Sequence, residues 1–271
     1  MNHNLKLRLL VMLVIAAFSL LSYVGKRSVN PVTGETQHVS LSREQEIAMG
    51  LQSAPEMAAQ FGGVVGDDRV QRLVKDIGQR IVAESVAARS GYPFDFHVLA
   101  DSRTVNAFAL PGGQIFITLA LLSRLESADQ LAGVLGHEVG HVIARHSAEH
   151  LAKQELTSGL TGAVVMGAGS YEMARVAQLV GGLINMKYGR EDELESDRLG
   201  ICLMADAGFD PRALIDVMRI LAEASGGSRQ PEFASTHPSP ANRVQQIEDH
   251  LANLDRTCRF APSTLHRSRG P

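Results

Sequence analysis

The sequence predicts an α+β fold that is mainly α-helical and contains a small β-sheet. Apolar residues recur at helical spacing in several long segments, whereas β-forming residues cluster only between Phe94 and Thr118. The 271 residues have ordinary apolar and charged fractions, which suit one globular core. We expect this domain to span residues 30–255, between an N-terminal segment, 1–29, and a flexible tail, 256–271.

The first 29 residues have the pattern of an export signal. Lys6 and Arg8 precede an uncharged, mainly apolar run from Leu9 to Gly25, which is typical of a secretory signal. No good small-x-small cleavage site follows the run, and about 17 residues is the short limit for a membrane span. The pattern predicts export and leaves open a cleaved signal peptide or an N-terminal membrane anchor.

The next signals predict one helix and then the sheet. Residues 67–88 have an amphipathic pattern whose apolar stripe is expected in the core. This stripe consists of Val70, Leu73, Val74, Ile77 and Ile81. Strands are predicted over residues 94–100, 105–110 and 114–118, with Pro111-Gly112-Gly113 as the turn between the last two.

A second helical pattern, residues 127–153, carries the run His137-Glu138-Val139-Gly140-His141. It begins with a capping box formed by Ser127 and Gln130. Histidines four residues apart lie on one helix face, so both imidazoles can bind one ion. Glu138 would then lie beside a metal-activated water and act as its general base. An HExxH motif on a helix therefore predicts a zinc-peptidase site.

Three glycines in this pattern require an explanation. Gly133, Gly136 and Gly140 each cost about 1 kcal/mol relative to Ala in a helix interior. Close approach of another backbone at a crowded metal site would explain them, and ordinary helix packing is the alternative.

A catalytic zinc site normally has three protein ligands, so a third must lie elsewhere. The metzincin pattern is excluded, because the positions three and six residues after His141 are Ala144 and Ser147. On a continuous helix, His146 and His150 would point away from the histidines nine residues before them. We therefore expect these two to be surface residues or residues that support a ligand.

A third helical pattern begins near Arg190 and supplies the better candidate. Glu193 and Asp197 are four residues apart on the face that continues into apolar residues, while Glu191 and Glu195 lie on the polar face. Buried carboxylates need partners. Zinc would satisfy Glu193, and Asp197 could accept the second ring N–H of a ligand histidine. Helix-dipole compensation at an exposed helix start is the alternative.

These two motifs together resemble the gluzincin metallopeptidases that include the CAAX prenyl proteases, HtpX and the bacterial envelope proteases BepA and LoiP. The runs 30–35, 44–50, 106–113 and 236–238 are similar to the envelope branch, here without tetratricopeptide repeats. Ser196 is a departure, because relatives commonly have Ala there. The resemblance implies a zincin-like domain with the sheet beside the HExxH helix, and one zinc per chain.

The resemblance also implies roles for individual residues. His137, His141 and Glu193 would bind zinc, Glu138 would be the general base and Asp197 the supporting acid. His237 would approach the metal on a loop, either to stabilise the oxyanion or to block the open position. Beyond that loop, Ser239 and Pro240 are expected to start a helix in which Arg243 is either a site neighbour or an exposed residue.

Other segments give weaker expectations. Residues 156–186 are rich in Gly, Ala and Val and are interrupted by Glu172 and Arg175, which favours a lid over a membrane hairpin. Cys202 and Cys258 are the only cysteines; we expect Cys202 to be a buried free thiol, with a disulfide as the alternative. A helix is predicted after Pro211 to residue 224, followed by a polar loop, 226–231.

The function expected is zinc-dependent hydrolysis of misfolded or misassembled envelope proteins in the bacterial periplasm. An edge strand, either from Asn106 or from Gln114, could hold an extended substrate, with a purely structural hairpin as the alternative. No cysteine lies in residues 22–25, so a lipoprotein is not expected. The sequence contains no basic cluster with interleaved aromatic residues, so we do not expect nucleic acid as a partner. The alternative is a zinc-stabilised chaperone or binding module in which His237 blocks the metal.

Overall fold

The computed structural model describes residues 3–162, 187–225, 232–237 and 242–259. The N-terminal elements are α1 (His3–Gly25), β1 (Arg27–Val29), β2 (Thr36–His38), α2 (Arg43–Gln60) and α3 (Asp68–Ala83). The sheet consists of β3 (Asp95–Leu99), β4 (Ala107–Leu110) and β5 (Gln114–Thr118), followed by α4 (Leu119–Leu122). The site helices are α5 (Ala128–Ile143), α6 (His146–Gly162) and α7 (Arg190–Asp206). The described elements end with α8 (Ala213–Ser225), α9 (Glu232–Thr236), α10 (Arg243–Ala252) and α11 (Leu254–Thr257).

The expected α+β, mainly helical class is confirmed. Helix α1 packs against α6. Among the residues that the structure describes, no helix combines the length and the apolarity needed to cross a membrane. Within the region expected as one helix over residues 67–88, α3 ends at Ala83 and a 3-10 turn follows over Val86–Ser90.

The three-stranded sheet has the order β3-β5-β4, with β3 parallel and β4 antiparallel to β5. The strand from Gln114 is therefore central, and the expectation that it could be a substrate-binding edge is wrong. Strand β4 is an edge strand and packs against α5. The sheet thus supports the HExxH helix through the strand that begins at Ala107.

The apolar stripe of α3 lies mostly in the core. Val74 and Ile81 are completely buried. Leu73, however, is 54% exposed, so its assignment to the core is wrong. Each residue of a helix is turned by about 100° from the one before it. Position 73 therefore lies at the margin of the narrow face that buries position 77.

Helix α5 crosses α7 at very short distance. A Cβ added to Gly140 would lie 3.0 Å from the carbonyl oxygen of Ser196, and one added to Gly200 would lie 3.1 Å from the backbone nitrogen of His137. Close backbone approach therefore explains Gly140, whereas a Cβ added to Gly133 would meet only ordinary contacts of helix packing, 3.5 Å from the side chains of Leu214 and Val217. Ser196 lies within this contact, where a small side chain is required.

The helix expected over residues 127–153 is interrupted. Arg145 has a φ of 62°, which ends α5 and reorients the chain before α6 begins at His146. The N-terminal segment holds this bend: Asn30 Nδ2 donates to the Ile143 carbonyl at 2.8 Å, and Gln37 donates to the Ala144 carbonyl. The Arg145 guanidinium also donates to the buried carboxylate of Glu46, at 2.9 Å from Nε.

Cys202 and Cys258 form a disulfide, so the expectation of a free thiol is wrong. Cys202 is completely buried on α7, but α11 brings Cys258 against the same helix. The folded part thus extends into the expected tail as far as this bond. Residues 260–271 lie outside the described part of the chain, as do 163–186 of the expected lid and the loop 226–231.

We predict that removing the disulfide lowers the free energy of unfolding. The bond joins residues 56 positions apart, and loss of such a crosslink costs about 2–5 kcal/mol. Urea unfolding of the oxidised chain and of Cys258→Ser should show a lower midpoint for the variant. Reduction should lower the midpoint of the wild type and leave that of the variant unchanged. Equal midpoints for the oxidised wild type and the variant would contradict this account.

Candidate metal centre

Four buried side chains from three elements converge at one point: His137, His141, Glu193 and His237. The two histidines of α5 face each other with 3.0 Å between their Nε2 atoms. Glu193, from the first turn of α7, lies with Oε2 3.4 Å from His137 Nε2 and with Oε1 3.4 Å from His141 Nε2. His237 directly follows α9 and brings Nδ1 to 3.0 Å from Glu193 Oε1.

The ligand atoms are spaced as a zinc ion requires. A tetrahedral ion with bonds of 2.0–2.1 Å has ligands about 3.3 Å apart. The three expected ligands, His137, His141 and Glu193, lie 3.0 to 3.4 Å from one another. His237 Nδ1 lies 3.4 Å from His137 Nε2, so His237 is a fourth group within reach of the same ion. The donor set therefore fits a zinc ion. His237 lies outside α9, directly after its last residue.

An ion pair between Asp197 and Arg243 holds the His137 ring on the side away from the ligand cluster. Its Nδ1 donates to Asp197 Oδ1 at 2.9 Å, which leaves Nε2 free to face the ligand cluster. Arg243 in turn donates to both Asp197 oxygens, at 2.6 and 2.8 Å, and lies 3.1 Å from Glu193. Arg243 is therefore a buried site neighbour, not an exposed helix residue. Helix α10 begins at Arg243 with Asn242 as its N-cap, so the helix start expected at Ser239 and Pro240 is wrong; these two residues themselves lie outside the described part of the chain.

His141 has different surroundings. Tyr188 stacks on its ring with centroids 3.9 Å apart and donates its backbone N–H to the Thr236 carbonyl at 3.1 Å. His146 is buried, with Nδ1 only 2.9 Å from His141 Nδ1. Of the two alternatives expected for His146, a surface residue or one that supports a ligand, the structure shows the second, because the bend at Arg145 directs its ring to His141. His150 instead pairs with Asp192 at 2.7 Å.

Glu138 is completely buried beside this cluster. Neither of its carboxylate oxygens has a hydrogen-bond partner among the described residues, and His237 Nε2 lies 3.7 Å from Oε1. A buried carboxylate without a partner is costly. Glu138 lies next to four side chains that could hold a metal ion, and a water bound to such an ion would give it a partner.

The pKa values of the buried ionisable groups are shifted in different directions. Burial raises the pKa of Glu138 and lowers that of His141 well below its ordinary value. Burial would also lower the pKa of His137, but the Asp197 and Glu193 carboxylates raise it to about 9. Burial opposes the ionisation of Glu193, yet the charge of His237 and hydrogen bonds from the two motif histidines hold its pKa well below the usual range. The site thus concentrates negative charge on Glu193.

Comparison with known proteins gives the family. The model of "Peptidase family M48" matches residues 68–251, more than half of the chain. The chain belongs to this family. The match begins at α3 and ends in α10, so it includes the sheet, all four converging residues and Arg243.

Two kinds of relative are similar over most of this chain. It is 32% identical to the β-barrel assembly-enhancing protease of Yersinia pestis over 83% of the chain and 47% of that protein. The Escherichia coli K12 protein of the same name is 29% identical over the same shares. The mitochondrial metalloendopeptidase OMA1 of Schizosaccharomyces pombe is 32% identical, over 82% of the chain and 65% of that protein. The chain thus spans about half the length of the β-barrel assembly-enhancing proteases.

We predict that the affinity of this site for zinc rises with pH to about 9. The pKa of His137 in the metal-free chain is about 9, above the ordinary value of about 6.5. Its proton therefore stabilises the metal-free fold below pH 6.5, and this stabilisation is lost as the pH rises through 9. Zinc must displace that proton, so its affinity should fall about tenfold per pH unit below 9.

Calorimetric titration with zinc, in buffers that differ in ionisation enthalpy, measures both the affinity and the protons released. Release of about one proton per zinc at pH 7 is expected. An affinity that does not change between pH 7 and 9 would contradict the assignment of that proton to His137.

Proposed function

We propose that this chain is a zinc-dependent endopeptidase that degrades misfolded or misassembled cell-envelope proteins. His137, His141 and Glu193 bind the zinc ion, and Glu138 is the general base. The observation that carries the proposal is the buried carboxylate of Glu138, which has no hydrogen-bond partner among the described residues, beside four side chains that could hold one metal ion. Membership of a peptidase family supports the same reaction class.

Each residue contributes a defined step. A zinc ion held by His137, His141 and Glu193 would supply a Lewis acid for the scissile carbonyl and for the attacking water. Glu138 would take the proton from this water and deliver it to the leaving amine nitrogen. Its raised pKa suits a group that must both accept and return a proton. Asp197 and Arg243 keep the His137 ring oriented, because they hold its outer nitrogen.

The substrate class rests on relatives and on one edge strand. Two relatives are named for β-barrel assembly, which supports misassembled envelope proteins as substrates and the bacterial periplasm as the location. The export pattern of residues 1–29 supports this location, with or without an anchor in the inner membrane. Strand β4 could bind an extended segment through main-chain hydrogen bonds, which favours unfolded clients over a fixed sequence.

A second function, a zinc-stabilised chaperone or binding module, is favoured by one observation. His237 Nδ1 lies 3.4 Å from His137 Nε2 and 3.0 Å from Glu193 Oε1, and its side chain is completely buried, so it could occupy the fourth vertex of a zinc site. Four protein ligands are typical of closed structural zinc sites, whereas catalysis requires an open position. In the peptidase proposal, His237 must leave this vertex before substrate binds; it can then stabilise the oxyanion through its ring N–H.

We predict that Glu138→Gln abolishes cleavage of casein by the full-length chain while one zinc ion is retained. The change removes the base and keeps all proposed ligands. Glu191→Gln, at an exposed position of α7, is the matched control and should cleave as the wild type does. Rates are measured from peptide release, and zinc by elemental analysis.

His237→Ala separates the two functions in the same assay. A silent wild type with an active His237→Ala variant indicates a self-blocked peptidase. Zinc-loaded protein that cleaves nothing in any form supports the binding module. Cleavage by Glu138→Gln at the wild-type rate would overturn the proposed base.

A further inference from the structure

The two motif histidines are supported in different ways on the side away from the ligand cluster. His137 donates to the carboxylate of Asp197. At His141 the nearest described group is another imidazole, His146, whose Nδ1 lies 2.9 Å away. His146 Nε2 in turn lies 3.2 Å from Glu195 Oε2. A chain of three side chains therefore runs from the centre of the site towards the surface.

We propose that His146 and Glu195 are positioning residues that fix the tautomer and orientation of His141 and so strengthen its bond to the metal. The inference rests on the proposed zinc site. It adds to that site a supporting relay, which we define as the hydrogen-bonded series His141, His146 and Glu195. Such outer partners change metal affinity about 10- to 100-fold in other proteins.

The proton positions follow from the geometry. His141 Nε2 faces His137 and Glu193, at 3.0 and 3.4 Å, so with a metal bound Nε2 is the ligand atom and the ring proton is on Nδ1. His146 Nδ1 must then accept this hydrogen bond, because two N–H groups cannot face each other at 2.9 Å. In this tautomer the proton of His146 is on Nε2, where it donates to Glu195.

The backbone makes this contact possible. Residue 146 follows residue 141 by five positions, which on a continuous helix would separate their directions by about 140°. The left-handed conformation of Arg145 ends α5 and starts α6 at His146, which returns the imidazole to the motif. Glu46 holds Arg145 in place from α2. The N-terminal part of the domain thus fixes the relay.

Burial indicates that the relay is rigid at its inner end and accessible at its outer end. His146 is 1% exposed and the Glu195 side chain 24%. Arg198 lies 3.7 Å from Glu195, and Asp192 lies 4.0 Å from His146 Nε2. The adjacent pair, His150 and Asp192, has the same chemistry without a contact to a motif histidine. It therefore provides an internal control.

The test is the affinity of the full-length chain for zinc, measured by competition with a chelator. His146→Phe keeps an aromatic ring but removes the acceptor, and should bind zinc about 10- to 100-fold more weakly than the wild type. His146→Asn can place its amide oxygen near the position of Nδ1 and should restore most of the affinity. Glu195→Gln, which loses the charge, should lie between them.

The control is His150→Phe, which should bind zinc as tightly as the wild type. Equal affinities for wild type, His146→Phe and His150→Phe would overturn the relay while leaving the zinc site intact. A wild type that does not bind zinc would instead overturn the proposed function. Equal losses in His146→Phe and His150→Phe would show a general effect on packing, and would also overturn the relay.

A spectroscopic measurement tests the relay without any substitution, so it holds even where a variant fails to fold. In the zinc-loaded wild type, ¹⁵N-resolved imidazole spectra should show the His141 proton on Nδ1 and the His146 proton on Nε2. A proton on Nδ1 of His146 would contradict the proposal.

Discussion

Close contact between the backbones of α5 and α7 is the constraint on which the site depends. Gly140 lies so close to Ser196 that an added Cβ would be 3.0 Å from its carbonyl oxygen. This approach brings Glu193 and Asp197 from one helix to the two histidines of the other. Larger side chains at Gly140 and Gly200 would push the two helices apart and move the carboxylates away from the imidazoles. Each of these glycines costs about 1 kcal/mol relative to Ala in a helix interior, and that cost allows the close contact.

The second constraint acts at the end of α5. The N-terminal segment satisfies carbonyl groups that a helix end leaves unpaired, through Asn30 and Gln37, and Glu46 binds the Arg145 side chain. The motif helix is thereby held at its C-terminal end by a part of the chain that precedes the sheet. Residues near Asn30 thus fix the end of a helix that carries the candidate ligands about 110 residues later in the chain.

Sequence patterns predicted the parts of the site that depend on one helix at a time. The four-residue spacings of His137 with His141 and of Glu193 with Asp197 are local, and the structure brings these pairs together. Contacts that depend on a bend or on two distant segments were not predictable. Arg145 offers no Gly or Pro signal for its left-handed backbone, so the contact of His146 was missed. Tyr188, stacked on His141, has no motif that would identify it.

The same distinction explains the errors in the fold. The strands were predicted from composition, but their order in the sheet was not. Strand pairing depends on contacts between distant segments, and a local sequence pattern carries no information about which segments pair. The disulfide was missed since a buried cysteine on a helix gives no indication of its partner. The sequence did not decide whether the Arg243 side chain lies in the site or on the surface. Helix periodicity gives the direction of a side chain relative to its own helix, but not relative to α7.

Anomalous diffraction at the zinc edge, from crystals of the full-length chain purified without added metal, tests the central claim most directly. The account predicts one strong peak about 2.0–2.1 Å from Nε2 of His137, Nε2 of His141 and a carboxylate oxygen of Glu193. No peak between these three residues, or a zinc ion bound elsewhere in the chain, would contradict it.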